Sequence, residues 1–393
     1  MRQSRAVVIG GGVGGLTAAV ALHRLGWSVT VLEAARTLAP VGAGIGLAPN
    51  AHRALDVIGL GDAVRDLATW HGDGGIRTPS GRWLVRSGSE AATARFGGPL
   101  VTLHRATLVE ILRSGLPDSC LRLDCRSTLA DPGAADRPAV VATPHGDLEA
   151  DLVVGADGID SRVRRVLFPT HPGPRYAGFT AWRIVVPAPE RAFPPHETWG
   201  RGGVWGSHLL KDGRVYAYAT AVVPEGGRSA DGEKAELRRR FADWHDPIPD
   251  LLAAADPEGV LRHDVRQLAE PLPAYHRGRT ALLGDAAHAM TPTLGQGGNQ
   301  AIEDAVVLAH HVSGARHDGR DPGRALAAYT RDRLPRTTAI VRQAARTARL
   351  NHLTSPLLLA VRDALVAGVG RFGPDDLMLR SFASIADWRP PRN

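Results

Sequence analysis

Apolar residues along this chain fall in short runs, and several of those runs end in glycine. Ala6-Val7-Val8-Ile9 is the first, the length of a buried strand, and Gly10-Gly11-Gly12-Val13-Gly14-Gly15 follows at once. Leu16, Ala19, Val20, Leu22 and Leu25 then recur at helical spacing up to Gly26, and Ser28–Leu32 is a second strand closing on Glu33. Leu152-Val153-Val154 repeats the pattern and ends in Gly155-Ala156-Asp157-Gly158, with Ser161, Arg162 and Arg164 leading into a helix. Ala281-Leu282-Leu283 repeats it again. It ends in Gly284-Asp285, and a proline-containing loop, a glycine cluster and a helix from about Asn299 follow. Strand, glycine turn and helix in this order predict an α/β chain with a Rossmann-like βαβ unit.

Elsewhere the period shortens to two. The region from Trp70 to Leu100 predicts small antiparallel strands, with turns at Gly74-Gly75 and Ser80-Gly81. From Gly173 to Leu272 short strands alternate with Pro/Gly turns around one helix near Ala235–Trp244. The strongest is Arg214–Val222, which puts Arg214, Tyr216, Tyr218 and Thr220 on one face and Val215, Ala217 and Ala219 on the other. Gly178–Val186 and Gly203–Leu210 are its expected neighbours. Between these regions, Asn50 caps a helix from Ala51 to Ile58, Val101–Leu112 is helical, and Asp124–Asp151 is a strand pair around Asp131-Pro132-Gly133. Ala325–Asn351 predicts a long helix broken at Pro335. Pro356–Val369 predicts an amphipathic packing helix, with peripheral membrane contact as the lesser alternative.

Residues 1–70, 101–172 and 273–345 therefore form a nucleotide-binding α/β domain in this reading. Residues 71–100 and 173–272 form a mostly antiparallel substrate sheet, and 346–393 a C-terminal helical segment.

Composition narrows the class. The net charge is +7, but Lys211 and Lys234 are the only lysines among 47 basic residues, and the arginines alternate with 40 acids. Without a basic block or stripe, a nucleic-acid partner is not expected. The spacing of Cys120 and Cys125 suits neither a zinc knuckle nor a disulfide framework, so both read as reduced structural thiols of a cytoplasmic protein. No run of about 18 apolar residues predicts a membrane span. Metal-site and hydrolase signatures are missing too, and no metal is expected.

The glycine turns carry the candidate chemistry. Gly10, Gly12 and Gly15 match G-x-G-x-x-G between a strand and a helix: the first makes the turn, the second admits a pyrophosphate, the third packs helix on strand. Glu33 is placed to accept from a ribose 2′-hydroxyl and would repel a 2′-phosphate. Arg36 either contacts the nucleotide or is a solvated surface arginine. Arg105, a cation in a helix's first turn, opposes the helix dipole, which points to an anionic partner. The loop Gly42–Leu47 is a backbone wall against a flat ligand or a cluster of turns. Asp285 suits a polyol, and Gly295, Gly297 and Gly298 let backbone N–H groups approach a flat ring at a helix start. Taken alone, that last stretch reads equally well as an ordinary strand–loop–helix connection.

Three stretches, Gly10–Glu33, Gly155–Arg164 and Gly284–Asp304, together resemble the single-component FAD-dependent aromatic hydroxylases with the p-hydroxybenzoate hydroxylase fold. The nearest branch holds urate, salicylate and 3-hydroxybenzoate hydroxylases and zeaxanthin epoxidase-like enzymes. The resemblance runs from Val7 to about Ala345. It implies FAD bound through Gly10, Gly12, Val13, Gly14 and Gly15, with Glu33, Ala34 and Arg36 at the adenosine and Arg105 at the phosphates. By the same resemblance Asp157 and Gly158 serve FAD and a passing NADH or NADPH, while Gly284 and Asp285 hold the ribitol. Gly44 and Ile45 wall the isoalloxazine, and Pro292, Gly295, Gln296, Gly297, Gly298 and Asn299 line its pyrimidine and one face.

The implied reaction uses NAD(P)H and O₂ to hydroxylate or epoxidise a small aromatic or polycyclic substrate through a flavin C4a-hydroperoxide. Tyr216, on the strand that resembles the one supplying a catalytic tyrosine in urate hydroxylases, is either a substrate-orienting phenol or a cross-strand structural tyrosine. Arg183, and Pro292 beside the flavin, complete the expected catalytic set; His208 reads as a half-exposed strand histidine. Val204, flanked by Trp205, stands where urate hydroxylases carry the anion-gripping arginine, which points to a less polar ring. An FAD reductase or oxidase without oxygen transfer, and a non-catalytic carrier, are the competing classes. Monomer and homodimer are both compatible with the sequence.

Overall fold

A computed structural model describes residues 3–38, 43–69, 73–317, 322–372 and 383–391. Gly42, the first residue of the expected flavin wall, and Trp70, where the short strands were expected to begin, lie outside the described residues.

The apolar runs next to glycine turns become one sheet. Its order is His276–Arg277, Thr280–Leu282, Leu152–Gly155, Arg5–Ile9, Ser28–Leu32, Leu121–Arg122. All pairings are parallel except that of His276–Arg277 with Thr280–Leu282. In register, Ile9 lies opposite both Leu32 and Gly155, and Gly155 opposite Leu282. The strands are nearly all apolar because helices cover them: Val8, Val31, Val154 and Ala281 are fully buried. Parallel strands aligned this way bring their carboxyl ends to one edge, so Gly10, Glu33, Asp157 and Asp285 come to a single crevice.

The second sheet has seven strands in the order Leu261–Leu268, Pro174–Pro187, Arg214–Ala221, Gly203–Leu209, His196–Trp199, Asp73–Arg77, Trp83–Gly88. It is antiparallel except where His196–Trp199 meets Asp73–Arg77. One face carries Trp182, Trp205, Val215, Ala217 and Ala219 and is covered by the helices Glu233–Phe241 and Ile248–Ala254 through Leu237, Phe241 and Leu251. The alternate face carries Arg183, His208, Tyr216 and Tyr218.

Several local expectations change. Val101–His104 is a strand paired with Gly44–Leu47, and the helix begins only at Arg105. Asn50 is not a cap: the helix runs Pro49–Val57, and its buried amide donates to Glu303 at 2.7 Å and Gln296 at 3.1 Å. The 124–151 region makes three strands rather than two, Thr128–Asp131, Ala139–Thr143 and Gly146–Ala150. The helix Pro322–Asn351 is continuous through Pro335. Buried anchors hold it on both sides, with Arg333 bonded to Glu303 and Asp304, and Thr337 bonded to the Tyr275 hydroxyl. That packing outweighs the one backbone bond a proline deletes.

Candidate active site

The dinucleotide loop starts at Gly10, whose φ of +111° and closeness to the Ala156 carbonyl exclude a side chain. A Cβ at Gly15 would stand 2.0 Å from the Gly10 carbonyl oxygen, so Gly15 sets the approach of helix Val13–Arg24 to the strand. Gly12 is different. Around a Cβ there, the only atom within 4 Å would be Arg105 Nη2 at 3.9 Å. The helix start has no side-chain cap, leaving its first N–H groups facing that open space. Arg105 reaches over it from another helix, and none of the described acidic side chains pairs with it. Free N–H groups, a helix N-terminus and an unpaired guanidinium make an anion site of the kind a pyrophosphate fills.

Glu33 leans under the same loop. Its carboxylate accepts from the Gly11 N–H at 2.7 Å and the Ala35 N–H at 2.8 Å, which fixes it at the end of the second strand with lone pairs to spare. Ala34 beside it is exposed. Arg36 is 87% exposed and 3.7 Å from Asp124, a solvated surface pair. Gly14 is buried, and its Cα side packs closely on Leu283 and Ala301.

At the third strand end, the Asp157 carboxylate is spent locally. It accepts from the Ser161 hydroxyl at 2.5 Å and from the N–H groups of Arg162 at 2.7 Å and Val163 at 3.1 Å. It thus shapes the loop and the start of helix Arg162–Leu167, with Gly158 open beside it. Buried Arg164 then ties this loop to the fourth strand end, donating to the carbonyls of Ile159 at 2.6 Å and Ala286 at 3.1 Å.

The fourth end is the clearest. From Thr280 to Thr291 every residue is buried except Asp285, which is exposed. Its Oδ1 would stand 3.9 Å from a Cβ at Gly297, at the start of helix Gly297–His317. Gly295 turns the chain with φ +61°, and Pro292 and Gly295 are exposed beside it. Gln296 and Asn299 are buried, and their side chains are structural. Asn299 donates to the carbonyls of Gly46 (2.9 Å) and Gly295 (2.7 Å) and accepts from the Ala48 N–H (2.8 Å). These bonds lock strand Gly44–Leu47 to the helix start, and Ile45 Cδ1 lies 2.6 Å from where a Cβ of Gly298 would be.

Behind this loop sits a group that sequence reasoning passed over. Asp304 is fully buried and accepts from the Gly284 N–H (2.9 Å), His288 Nε2 (2.6 Å) and Arg333 Nε (2.6 Å). Burial alone would raise its pKa; His288 and Arg333 overcome that and hold it at about 2. Arg333 and Arg336 also grip buried Glu303. The signal was available: Glu303-Asp304 interrupts a helix that is otherwise apolar from Ala301 to Ala309.

Across the crevice stands the polar face of the second sheet. The ring of Tyr216 lies against Gly44, with Cδ1 and Cγ 2.3 Å from a Cβ placed there. Burial pushes the Tyr216 hydroxyl's pKa up, and the Arg183 guanidinium beside it pulls the other way without prevailing. Arg183 has His263 at 3.4 Å and no acidic partner among the described residues. His208 stacks on Tyr218 at 6.0 Å, and burial lowers its pKa to about 4, so it is neutral. Tyr218 in turn donates to Glu197, whose pKa burial raises. Pro292, expected among the catalytic set, lies on the flavin-side loop and contributes no titratable group.

Parallel strand ends that gather a G-x-G-x-x-G turn, two acids and a glycine-lined helix start are the pattern of the dinucleotide-binding class. The chain belongs to the FAD binding domain family, whose profile matches residues 3–344, and it is an FAD-dependent monooxygenase. It is 39% identical over 312 residues to the aurachin C monooxygenase/isomerase of Stigmatella aurantiaca, covering 78% of this chain and 80% of that one. Over 359 residues it is 32% identical to the FAD-dependent urate hydroxylase of Klebsiella pneumoniae, 88% and 90% of the two chains. The crystal structure of Klebsiella pneumoniae HpxO complexed with FAD and uric acid superposes with a TM-score of 0.88 at 28% identity, covering 97% of each chain.

Proposed function

We propose that the enzyme oxygenates a small aromatic or polycyclic substrate bearing an acidic group, held against the Arg183–Tyr216 pair on the polar face of the second sheet. The observation that supports this is the half-buried guanidinium of Arg183, which has no acidic partner among the described residues and sits beside a phenol packed on Gly44. A cation without an acid beside it favours an anionic ligand group.

For the cofactor, Arg105 and the helix start at Val13 take the phosphates, Glu33 the ribose hydroxyl and Asp285 the ribitol. The N–H groups at Gly297 and Gly298 take the pyrimidine edge. FAD, supplied with electrons by NADH or NADPH, provides the redox chemistry with O₂. The chain's own groups orient and protect. Because its pKa is raised, Tyr216 keeps its proton at neutral pH and donates a hydrogen bond from Oη to a substrate oxygen. Arg183 balances the substrate's charge, and Glu33 discourages a 2′-phosphate at the adenosine end. Val204, 3% exposed and opposite Thr220, offers only an apolar contact where urate hydroxylases carry their arginine, so urate is a poor fit.

The test is a panel of hydroxylated aromatic acids and their neutral analogues, scored by substrate-stimulated NAD(P)H oxidation. The acids should stimulate, and Arg183→Met should raise their KM more than that of neutral rings. Equal or better stimulation by neutral rings would overturn the acidic-substrate reading.

A further inference from the structure

The last long helix, Pro356–Phe372, packs on the second sheet through Val366 and Ala367, which meet the cluster of Ile76, Leu84 and Val85. Its central charge faces the protein: Arg362 is 6% exposed, donates to the carbonyls of Leu350 and Trp199 at 3.3 Å each, and pairs with Asp363 at 2.8 Å. A second apolar side faces outward. Leu357 and Leu365 are 73% and 67% exposed, and Leu358, Val361 and Val369 are exposed with them. Positions 357, 361, 365 and 369 form one stripe along the helix, with no charged side chain on it. A helix packed on one face ordinarily carries polar residues on the other, and a contiguous exposed apolar stripe marks a contact surface.

The preceding helix supplies the complement. Arg342, Arg346 and Arg349 are exposed at i, i+4 and i+7, without acidic partners among the described residues, and Leu350 beyond them is 55% exposed. The two helices meet at 117°.

We propose that this helical corner is a peripheral docking surface for an anionic lipid bilayer, with the apolar stripe at the acyl boundary and the arginines at the headgroups. Five outward apolar side chains beside unpaired cations are the composition of an interfacial helix. No single described helix is long and apolar enough to cross a membrane. A second copy of the chain fits less well. Two 17-residue helices, each about 25 Å long, would bury only roughly 500 Å² between them, under the about 1,200 Å² of a stable interface.

The experiment sediments the full-length FAD-loaded protein with vesicles of phosphatidylcholine, with or without phosphatidylglycerol. Binding should appear with the anionic vesicles, fall as salt rises, and weaken roughly tenfold in the Leu357→Asp/Leu365→Asp variant with FAD binding unchanged. Arg342→Glu/Arg346→Glu/Arg349→Glu should weaken it and flatten the salt dependence. No binding to either vesicle, or undiminished binding by the leucine variant, overturns the proposal. So does a dimer, seen by sedimentation velocity, that the leucine variant dissociates.

Discussion

Tyr216 and Gly44 meet where the seven-stranded sheet faces the short strand Gly44–Leu47, the phenol ring packed so closely on the glycine backbone that a single methyl group would collide with it. The contact couples the substrate face to the flavin wall. Gly44→Ala must push the ring away, since the backbone on the other side is held by pairing with Val101–His104. The variant should bind FAD normally yet lose coupling, with NAD(P)H consumed in excess of product and the balance appearing as hydrogen peroxide. Parallel assays of NAD(P)H, product and peroxide measure it. Wild-type coupling in Gly44→Ala would show that the contact is incidental.

Tyr216→Phe removes the hydroxyl and keeps the packing. Loss of a transition-state hydrogen bond should lower kcat/KM by roughly tenfold to a hundredfold. The raised pKa gives a second expectation. A phenol whose pKa lies above its ordinary value near 10 stays protonated across the neutral and mildly basic range. The wild-type rate should therefore show no limb that depends on Tyr216 below about pH 10. A rising limb near neutrality that vanishes in Tyr216→Phe would assign the tyrosine a deprotonating role instead.

Asp304 links the site to stability. Its folded pKa of about 2 lies below the unfolded value near 4, so its contribution is present above pH 4 and is lost as the pH falls towards 2. Acid titration of thermal stability should show that loss. Asp304→Asn leaves Arg333 and His288 short of a buried partner and should cost about 3–5 kcal/mol at neutral pH. It should also blunt the acid limb. Because Asp304 accepts from the Gly284 N–H, FAD affinity should fall with it. Denaturant melts of the two proteins across the acid range check the first two, and an FAD titration checks the third.

The dinucleotide end was legible because its constraints are local. Gly10 acts through its own positive φ, and Gly15 and Glu33 through a backbone clash and hydrogen bonds within one βαβ unit, and a turn that only glycine can make leaves its mark in sequence. The strand Arg214–Ala221 and its two neighbours were legible for the same reason, since alternation fixes faces. What the sequence hid depends on distant partners. Asn50 looked like a cap until Glu303 and Gln296 arrived from the far end of the chain to take its amide. Pro335 looked like a break because the buried anchors at Arg333 and Thr337 cannot be read from helix propensity. Asp157 carries the expected Asp-Gly motif, yet its oxygens hold their own loop, and only coordinates distinguish an acid facing a ligand from one facing its own N–H groups. The outward leucines of Pro356–Phe372 were seen as one face of an amphipathic helix; nothing in their spacing says which face turns to water.

The measurement closest to the heart of this account is the FAD affinity of the apoprotein with and without the Asp285 carboxylate, followed by flavin fluorescence. Asp285→Ala should weaken binding by about 1.5–3 kcal/mol, the worth of a hydrogen bond to a charged group, because this lone exposed acid stands where the fourth strand meets the crevice. An unchanged dissociation constant would contradict the convergence of the strand ends on one extended cofactor.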